Sequence, residues 1–266
     1  MQKLDIPTFD WPKADFPELK YPLHEHQREN EAEETRCLAM AEEIFHEQKK
    51  QKPIAAVIIE PILAEGGDCH ASPDFFNKLR NIVAKNDAYF IVDEVQTGVI
   101  STGTFWAHES WNLDQPPDYV TFAKKMQIGG FYYNDGYTPY EKNRIQSTWN
   151  GDPAKLLMIK EILKVIENEH LVENVRDAGQ VLLNGLKQLQ EKFPQYISAA
   201  RGQGGFCAID LPDTTARDSF VNQLRSSGLV TGGSGFTSVR FRPSLICTKH
   251  HVQIALEIME SQLKKL

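Results

Sequence analysis

Cysteine is scarce in this sequence, and no run of apolar residues is long. The 4 cysteines, at positions 37, 69, 207 and 247, lie far apart with no Cys-x-x-Cys pair. Neither a zinc site nor a disulfide framework is therefore expected, no metal centre is predicted, and a reducing compartment suits the chain. No stretch reaches the roughly 18 consecutive apolar residues of a membrane-spanning helix, so no membrane partner is expected. Basic charge is in deficit too: 29 Lys and Arg against 36 Asp and Glu give a formal net charge of -7. Without a basic face, nucleic acid is not an expected partner. Met1-Gln2-Lys3-Leu4-Asp5 and the prolines that follow have neither the apolar core of a secretory signal nor the Arg-rich, acid-free character of a mitochondrial presequence. What is present is globular in composition. The 266 residues are 41% hydrophobic, 24% charged and 10% aromatic, enough for one large or two ordinary domains with a sizeable core.

The chain reads in two parts, 1–150 and 151–266. Pro7, Pro12, Pro17 and Pro22 each follow a bulky residue (Ile6, Trp11, Phe16, Tyr21), which biases every pair toward extended backbone. Residues 1–24 are thus expected to form an extended strap laid over another surface. Residues 26–50 carry Cys37, Leu38, Ala41, Ile44 and Phe45 at helical spacing, the pattern of a surface helix. Ile54–Ile59, Ala88–Val92 and Tyr119–Ala123 are short apolar runs, and a helix opened by Ser72-Pro73-Asp74 separates the first two. Strand, helix, strand with apolar strands predicts a mainly parallel sheet covered on both faces. Beyond Asp152-Pro153, helices are expected over 156–166, 171–189, 215–225 and 250–263, with strands near 206–211 and 238–241. This second part reads as a smaller α+β domain.

In an open parallel sheet, ligands bind beyond the carboxyl ends of the strands. Glu60 and Glu65 follow the first expected strand, Asp93 to Gly98 the second, and Lys124-Lys125 the third. A carboxylate and a lysine so placed form a structural ion pair in many α/β proteins. They are also the two parts a pyridoxal phosphate enzyme needs: an amine that bonds covalently to the cofactor, and an acid that keeps its ring nitrogen protonated. On residue type alone, Lys125 competes with Lys124 for the first role. Arg240 and Arg242 alternate with Val239 and Phe241 and read as surface charges of a half-exposed strand. His108, His250 and His251 read as surface or helix-end residues.

The strings EPILAEGG (60–67), IVDEVQTG (91–98), FAKKMQIGG (122–130), STWNGDP (147–153) and VRFRPSL (239–245), in this order and spacing, resemble the class III aminotransferases. GGDCHASPDFFNKLR (66–80) and GTFWAHESWNLDQP (103–116) are similar to the animal 4-aminobutyrate branch of that family. The resemblance implies an α/β protein of fold-type I, with the later part of a large cofactor-binding domain over 1–150 and the small domain over 151–266. It implies a pyridoxal 5'-phosphate enzyme that moves the amino group of 4-aminobutyrate to 2-oxoglutarate. By position, Lys124 matches the covalent lysine, Asp93 the partner of the ring nitrogen, Val95 the residue beneath the ring and Gln96 the one near its phenolic oxygen. Thr148 matches a threonine that reaches the cofactor phosphate of the neighbouring subunit, implying a homodimer with shared sites. Glu65 and Arg240 match a pair beside the substrate that opens for the dicarboxylate. The resemblance to animal relatives implies a mitochondrial matrix location, with the cytoplasm as the alternative expectation.

The resemblance begins in the middle of the family pattern. The phosphate loop, the ring-stacking aromatic and the arginine for the 4-aminobutyrate carboxylate have no counterpart here, so a non-catalytic remnant or dimer-partner chain is the alternative expectation. Val99-Ile100 stand where the family has small residues. Because β-branched residues avoid positive φ, the loop is expected to be rebuilt.

Overall fold

The computed structural model describes Pro7 and residues 9–137 and 141–266. Residues 9–20 run without helix or strand, exposed up to residue 14 and tied down from Asp15 onward. Asp15 pairs with Arg36 at 2.9 Å, Phe16 meets Phe75 edge-on at 6.0 Å, and the amide of Asn30 brackets the Lys20 backbone at 2.8 and 3.0 Å. Residues 21–24 bend and turn instead of staying extended, and strap positions 1–6 and 8 lie outside the described residues.

The first sheet holds β1 (Ala56–Ile59), β2 (Tyr89–Asp93), β3 (Tyr119–Phe122) and β4 (Gly130–Tyr133) in that order. The first three strands are parallel, and β4 returns antiparallel to β3. Helices α1 (Gln27–Gln48) and α2 (Pro73–Lys85) cover one face. Ser72 opens α2 by accepting the Phe75 amide at 3.1 Å, with Pro73 in its first turn. Phe90 and Val92 face these helices in a core with Cys37, Leu38, Phe75 and Phe76, and Phe76 stacks on Trp111 at 3.7 Å. The expectation of a sheet covered on both faces is not met among the described residues: Ile58, Tyr89, Phe131 and Tyr133 are exposed. The apolar runs of β1 and β2 therefore exceed what the described helices bury.

The second sheet is antiparallel, ordered β5 (Ser198–Gln203), β6 (Phe206–Asp210), β8 (Ser238–Phe241) and β7 (Gly232–Ser234). Helices α4 (Leu171–Lys192), α5 (Thr214–Ser226) and α6 (Lys249–Leu263) pack around it, with Leu182, Leu186, Ile209, Phe220, Val239 and Met259 in the core. Helix α3 (Pro153–Asn168) starts from an Asp152 cap. Between the sheets, Val99, Ile100 and Met126 pack on Ile166, Leu171 and Val175. A Cβ on Gly204 would collide with the Thr102 backbone, and one on Gly179 with the Gly204 carbonyl, so α4, the β5–β6 turn and the 101–103 loop touch through glycine.

The expected avoidance of positive φ is not met: Val99 and Ile100 take φ of 59° and 60°, in the left-handed region despite their β-branches. Burial resolves the conflict, because both side chains are almost fully enclosed. A left-handed residue costs about 1–2 kcal/mol, while burying such a side chain contributes about 1.5–3 kcal/mol. Val99→Gly should thus lower stability by only about 1 kcal/mol. Val83→Gly, at a buried site in α2, relieves no strain, loses the same burial and adds about 1 kcal/mol of helix penalty. Urea unfolding of the two variants checks the contrast; equal losses would show that the loop carries no strain.

Candidate active site

The carboxyl ends of β1, β2 and β3 place Glu60, Asp93 and Lys124 together. Asp93 lies opposite Thr121 in the parallel register, and its Oδ1 accepts the Val95 amide at 3.0 Å. That bond turns the chain off the strand and leaves Asp93, Val95 and Gln96 half-buried and open to a ligand. Between them Glu94 points inward and is buried. Its carboxylate accepts the Thr97 hydroxyl at 2.5 Å and both the backbone amide and Nδ1 of His108 at 2.9 Å. His108 is therefore a tether of the site loop and not a surface residue. Glu94 was not singled out from sequence; its position beside Asp93 on the opposite face of a strand end was the available signal.

Glu60, whose Oε2 accepts the Ala64 amide at 3.1 Å, shares this field. Burial raises its carboxyl pKa, Asp93 and Glu65 add to the rise, and Lys124 opposes it. Lys124 itself is exposed, with φ of 24° at the start of the single turn Lys124–Met126. Such backbone strain collects at functional positions. Its neighbour lies elsewhere: Lys125 is half-buried and lines a small cavity between the two sheets with Ser101, Phe206 and Arg242. Burial, then Arg242 and Lys124, push the Lys125 amine down to about 8.

Across the site, the 60–69 loop meets the end of β8 through two ion pairs. Glu65 Oε1 accepts Arg240 at 2.6 Å and Gln96 Nε2 at 2.9 Å. These partners, Arg240 foremost, hold its carboxyl below the usual carboxylate range. Three residues on, Asp68 pairs with Arg242, whose guanidinium lies 3.3 Å from the Phe206 ring centroid. The expectation that Arg240 and Arg242 are plain surface charges fails here, because each folds back onto an acid of the loop. The two pairs differ in burial. The Glu65 and Arg240 side chains are 45% and 27% exposed, those of Asp68 and Arg242 1% and 20%. An exposed pair contributes about 0–1 kcal/mol, whereas removing one partner of a buried pair costs about 3–5 kcal/mol.

The loop backbone is held as well. Ser234 accepts the Gly67 amide at 3.1 Å and donates to the Ala64 carbonyl at 2.5 Å, and Arg201 donates to the carbonyls of Gly67 and Asp68 at 2.6 and 2.9 Å. Thr148 is not brought to these residues. It sits in a turn within the wholly exposed segment 141–151. Among the described residues no group of three or more His, Cys, Asp or Glu side chains is placed to hold a metal ion, and no helix is long and apolar enough to cross a membrane.

This chain is similar to known proteins over nearly its whole length. The mitochondrial 4-aminobutyrate aminotransferase of Sus scrofa is 49% identical over 264 residues, 99% of this chain and 53% of its own length. The 4-aminobutyrate aminotransferase of Emericella nidulans is 49% identical over 269 residues, 100% of this chain and 53% of its own. This chain thus spans about half the length of these relatives. The solved lysine aminotransferase of M. tuberculosis superposes with a TM-score of 0.89 at 34% identity, over 98% of this chain and 60% of that one. Residues 2–263 match the family described as aminotransferase class-III, and with these relatives alike over nearly the whole chain, the chain belongs to that family of pyridoxal phosphate-dependent, fold-type I α/β enzymes.

Proposed function

We propose that this chain forms part of a 4-aminobutyrate:2-oxoglutarate aminotransferase. The observation that carries the reading is the convergence of Asp93, Lys124 and the Glu65–Arg240 pair at one end of the first sheet. The residues fit the family's cofactor. Asp93 commits Oδ1 to the Val95 amide and keeps its other oxygen for a ring N–H, and no ion pair among the described residues engages the Lys124 amine. Pyridoxal phosphate, when bound, supplies an electron-accepting ring for the carbon bearing the amino group.

The protein's own residues do the rest. Asp93 would hold the proton on the ring nitrogen, with Val95 and Gln96 as the side chains that would contact the ring. Lys124 would hold the cofactor covalently and would serve as the general base and then acid for the proton at the substrate carbon. In balance, 4-aminobutyrate and 2-oxoglutarate give succinate semialdehyde and glutamate. Thr148, on an exposed turn, would be available to the cofactor phosphate of a second subunit, which fits a homodimer as the working form. We assign 1–150 to the large domain and 151–266 to the small one. The relatives named mitochondrial in pig and human support a mitochondrial location.

Glu65 and Arg240 let one pocket take two substrates. With the pair closed, Arg240 is neutralised and a monocarboxylate such as 4-aminobutyrate fits; with it open, Arg240 receives the second carboxylate of 2-oxoglutarate. An exposed pair opens at little cost. In the holoenzyme containing this chain, Arg240→Ala should slow the half-reaction with 2-oxoglutarate roughly 10²-fold, in keeping with about 1.5–3 kcal/mol for a charge-assisted contact, and leave that with 4-aminobutyrate within about threefold. Stopped-flow absorbance of each half-reaction measures this, and equal losses would reduce the pair to a structural ion pair.

A further inference from the structure

Arg240 stands at the end of the strand ladder. Its pairing with Gly232 is the last contact between β7 and β8, and β8 ends at Phe241, opposite Cys207. Arg242 is the first residue beyond the ladder. Its guanidinium lies flat on Phe206 and pairs with buried Asp68, three residues after Glu65 on the facing loop. The same loop and the same strand end are thus joined twice, by an exposed pair and a buried one. The backbone bonds from Ser234 and Arg201 secure the loop, Thr231 holds the Arg240 carbonyl and Asn174 those of Leu245 and Cys247, and the Asp68–Arg242 pair is what joins the strand end beyond Phe241 to the loop.

We propose that Asp68 and Arg242 are positioning residues, the fixed half of a two-pair latch that keeps Arg240 aimed at the substrate when its own pair with Glu65 opens. The inference rests on the reading of Glu65–Arg240 as the substrate switch. While the outer pair is closed, Glu65 itself holds Arg240. Once a dicarboxylate draws Arg240 away, its base is the next-to-last residue of β8 and the last one paired with β7, and a tie beyond Phe241 keeps that strand end from shifting relative to the loop. The inner pair supplies that tie and does not open with the outer one, because Asp68 is enclosed and a departing partner would leave its charge uncompensated. It also retains the second guanidinium, which lies within electrostatic range of Glu65, so that Arg242 does not take the place Arg240 vacates. The latch therefore acts on the dicarboxylate half of the cycle alone.

The test uses the holoenzyme containing this chain with the double substitution Asp68→Asn and Arg242→Met, which removes the buried acid and its half-buried partner charge together and keeps a residue at 68 that tolerates its φ of 55°. The KM for 2-oxoglutarate should rise about tenfold or more, with KM and turnover in the 4-aminobutyrate half-reaction within about twofold of the parent. A loosened fold would move both half-reactions, so equal change in both, or change in neither, overturns the inference. Arg240→Ala is run in parallel. If it is selective and the double variant is not, only the latch fails; if it is itself unselective, the switch reading fails and the latch with it. Should the double variant precipitate, Arg242→Lys, which keeps a cation opposite Asp68 but loses the flat contact with Phe206, carries the same comparison. A selective rise in the 2-oxoglutarate KM of twofold or more supports the latch, and anything else overturns it.

Discussion

Lys124→Ala in the holoenzyme containing this chain is expected to reduce amino-group transfer on the order of 10³-fold or more, whereas Lys125→Ala keeps turnover within about tenfold. The contrast is informative because simple acid–base chemistry favours Lys125 over the proposed Lys124. With its amine pushed down to about 8, Lys125 has roughly a tenth of its population unprotonated at neutral pH, the feature that activates lysine nucleophiles. Position decides against it. Lys125 lines the cavity between the sheets with Arg242 as neighbour, so its depressed pKa records burial among cations. Lys124 shares the field of Glu60 and Glu65 at the strand ends, on the side of Asp93. Geometry precedes pKa in choosing a catalytic group. Borohydride reduction in the presence of pyridoxal phosphate, followed by peptide mapping, should mark Lys124; a label on Lys125, or one spread over several lysines, would remove the assignment.

The strands and helices that were legible in the sequence are those whose signals are local. Ser72-Pro73-Asp74 opens α2 and Asp152-Pro153 opens α3 as capping chemistry requires, and the apolar runs of β1, β2 and β3 fall within a residue or two of the observed strands. Strand β4 was missed because Gly130 to Tyr133 carries no alternation and three of its four residues are exposed. Strands β5 and β7 were missed because Ser198–Gln203 and Gly232–Ser234 are small or polar and owe their conformation to partners in β6 and β8. In the site, Asp93 and Lys124 follow apolar strands and were visible by that fact. Arg242 and Glu94 were not, because an arginine in an alternating strand and a second acid after Asp93 reveal their partners only when residues 68 and 108 come round to meet them. The Val99-Ile100 loop is the opposite case. The local rule was sound, yet enclosure by Met126, Ile166 and Val175 outweighed it.

Asp93→Asn should reduce turnover by roughly 10²–10³-fold, the range seen when one preorganised electrostatic group is lost from an active site, while the fold and cofactor binding persist. The substitution is nearly isosteric, and the amide oxygen still accepts the Val95 N–H that sets the turn after β2. Glu94 keeps its bonds to Thr97 and His108, so the loop carrying Val95 and Gln96 stays in place. What changes is charge. A neutral amide does not favour a proton on the ring nitrogen, and an unprotonated ring is a poorer acceptor of electrons from the substrate carbon. Activity in the variant should therefore return in part with a cofactor analogue whose ring nitrogen carries a permanent positive charge, a rescue that a damaged fold would not permit. Both half-reactions should slow alike, in contrast to the one-sided effect of Arg240→Ala, because each passes through the same ring. Turnover near that of the parent, or a loss that the charged analogue leaves unrelieved, would show that the Asp93 carboxylate has another role.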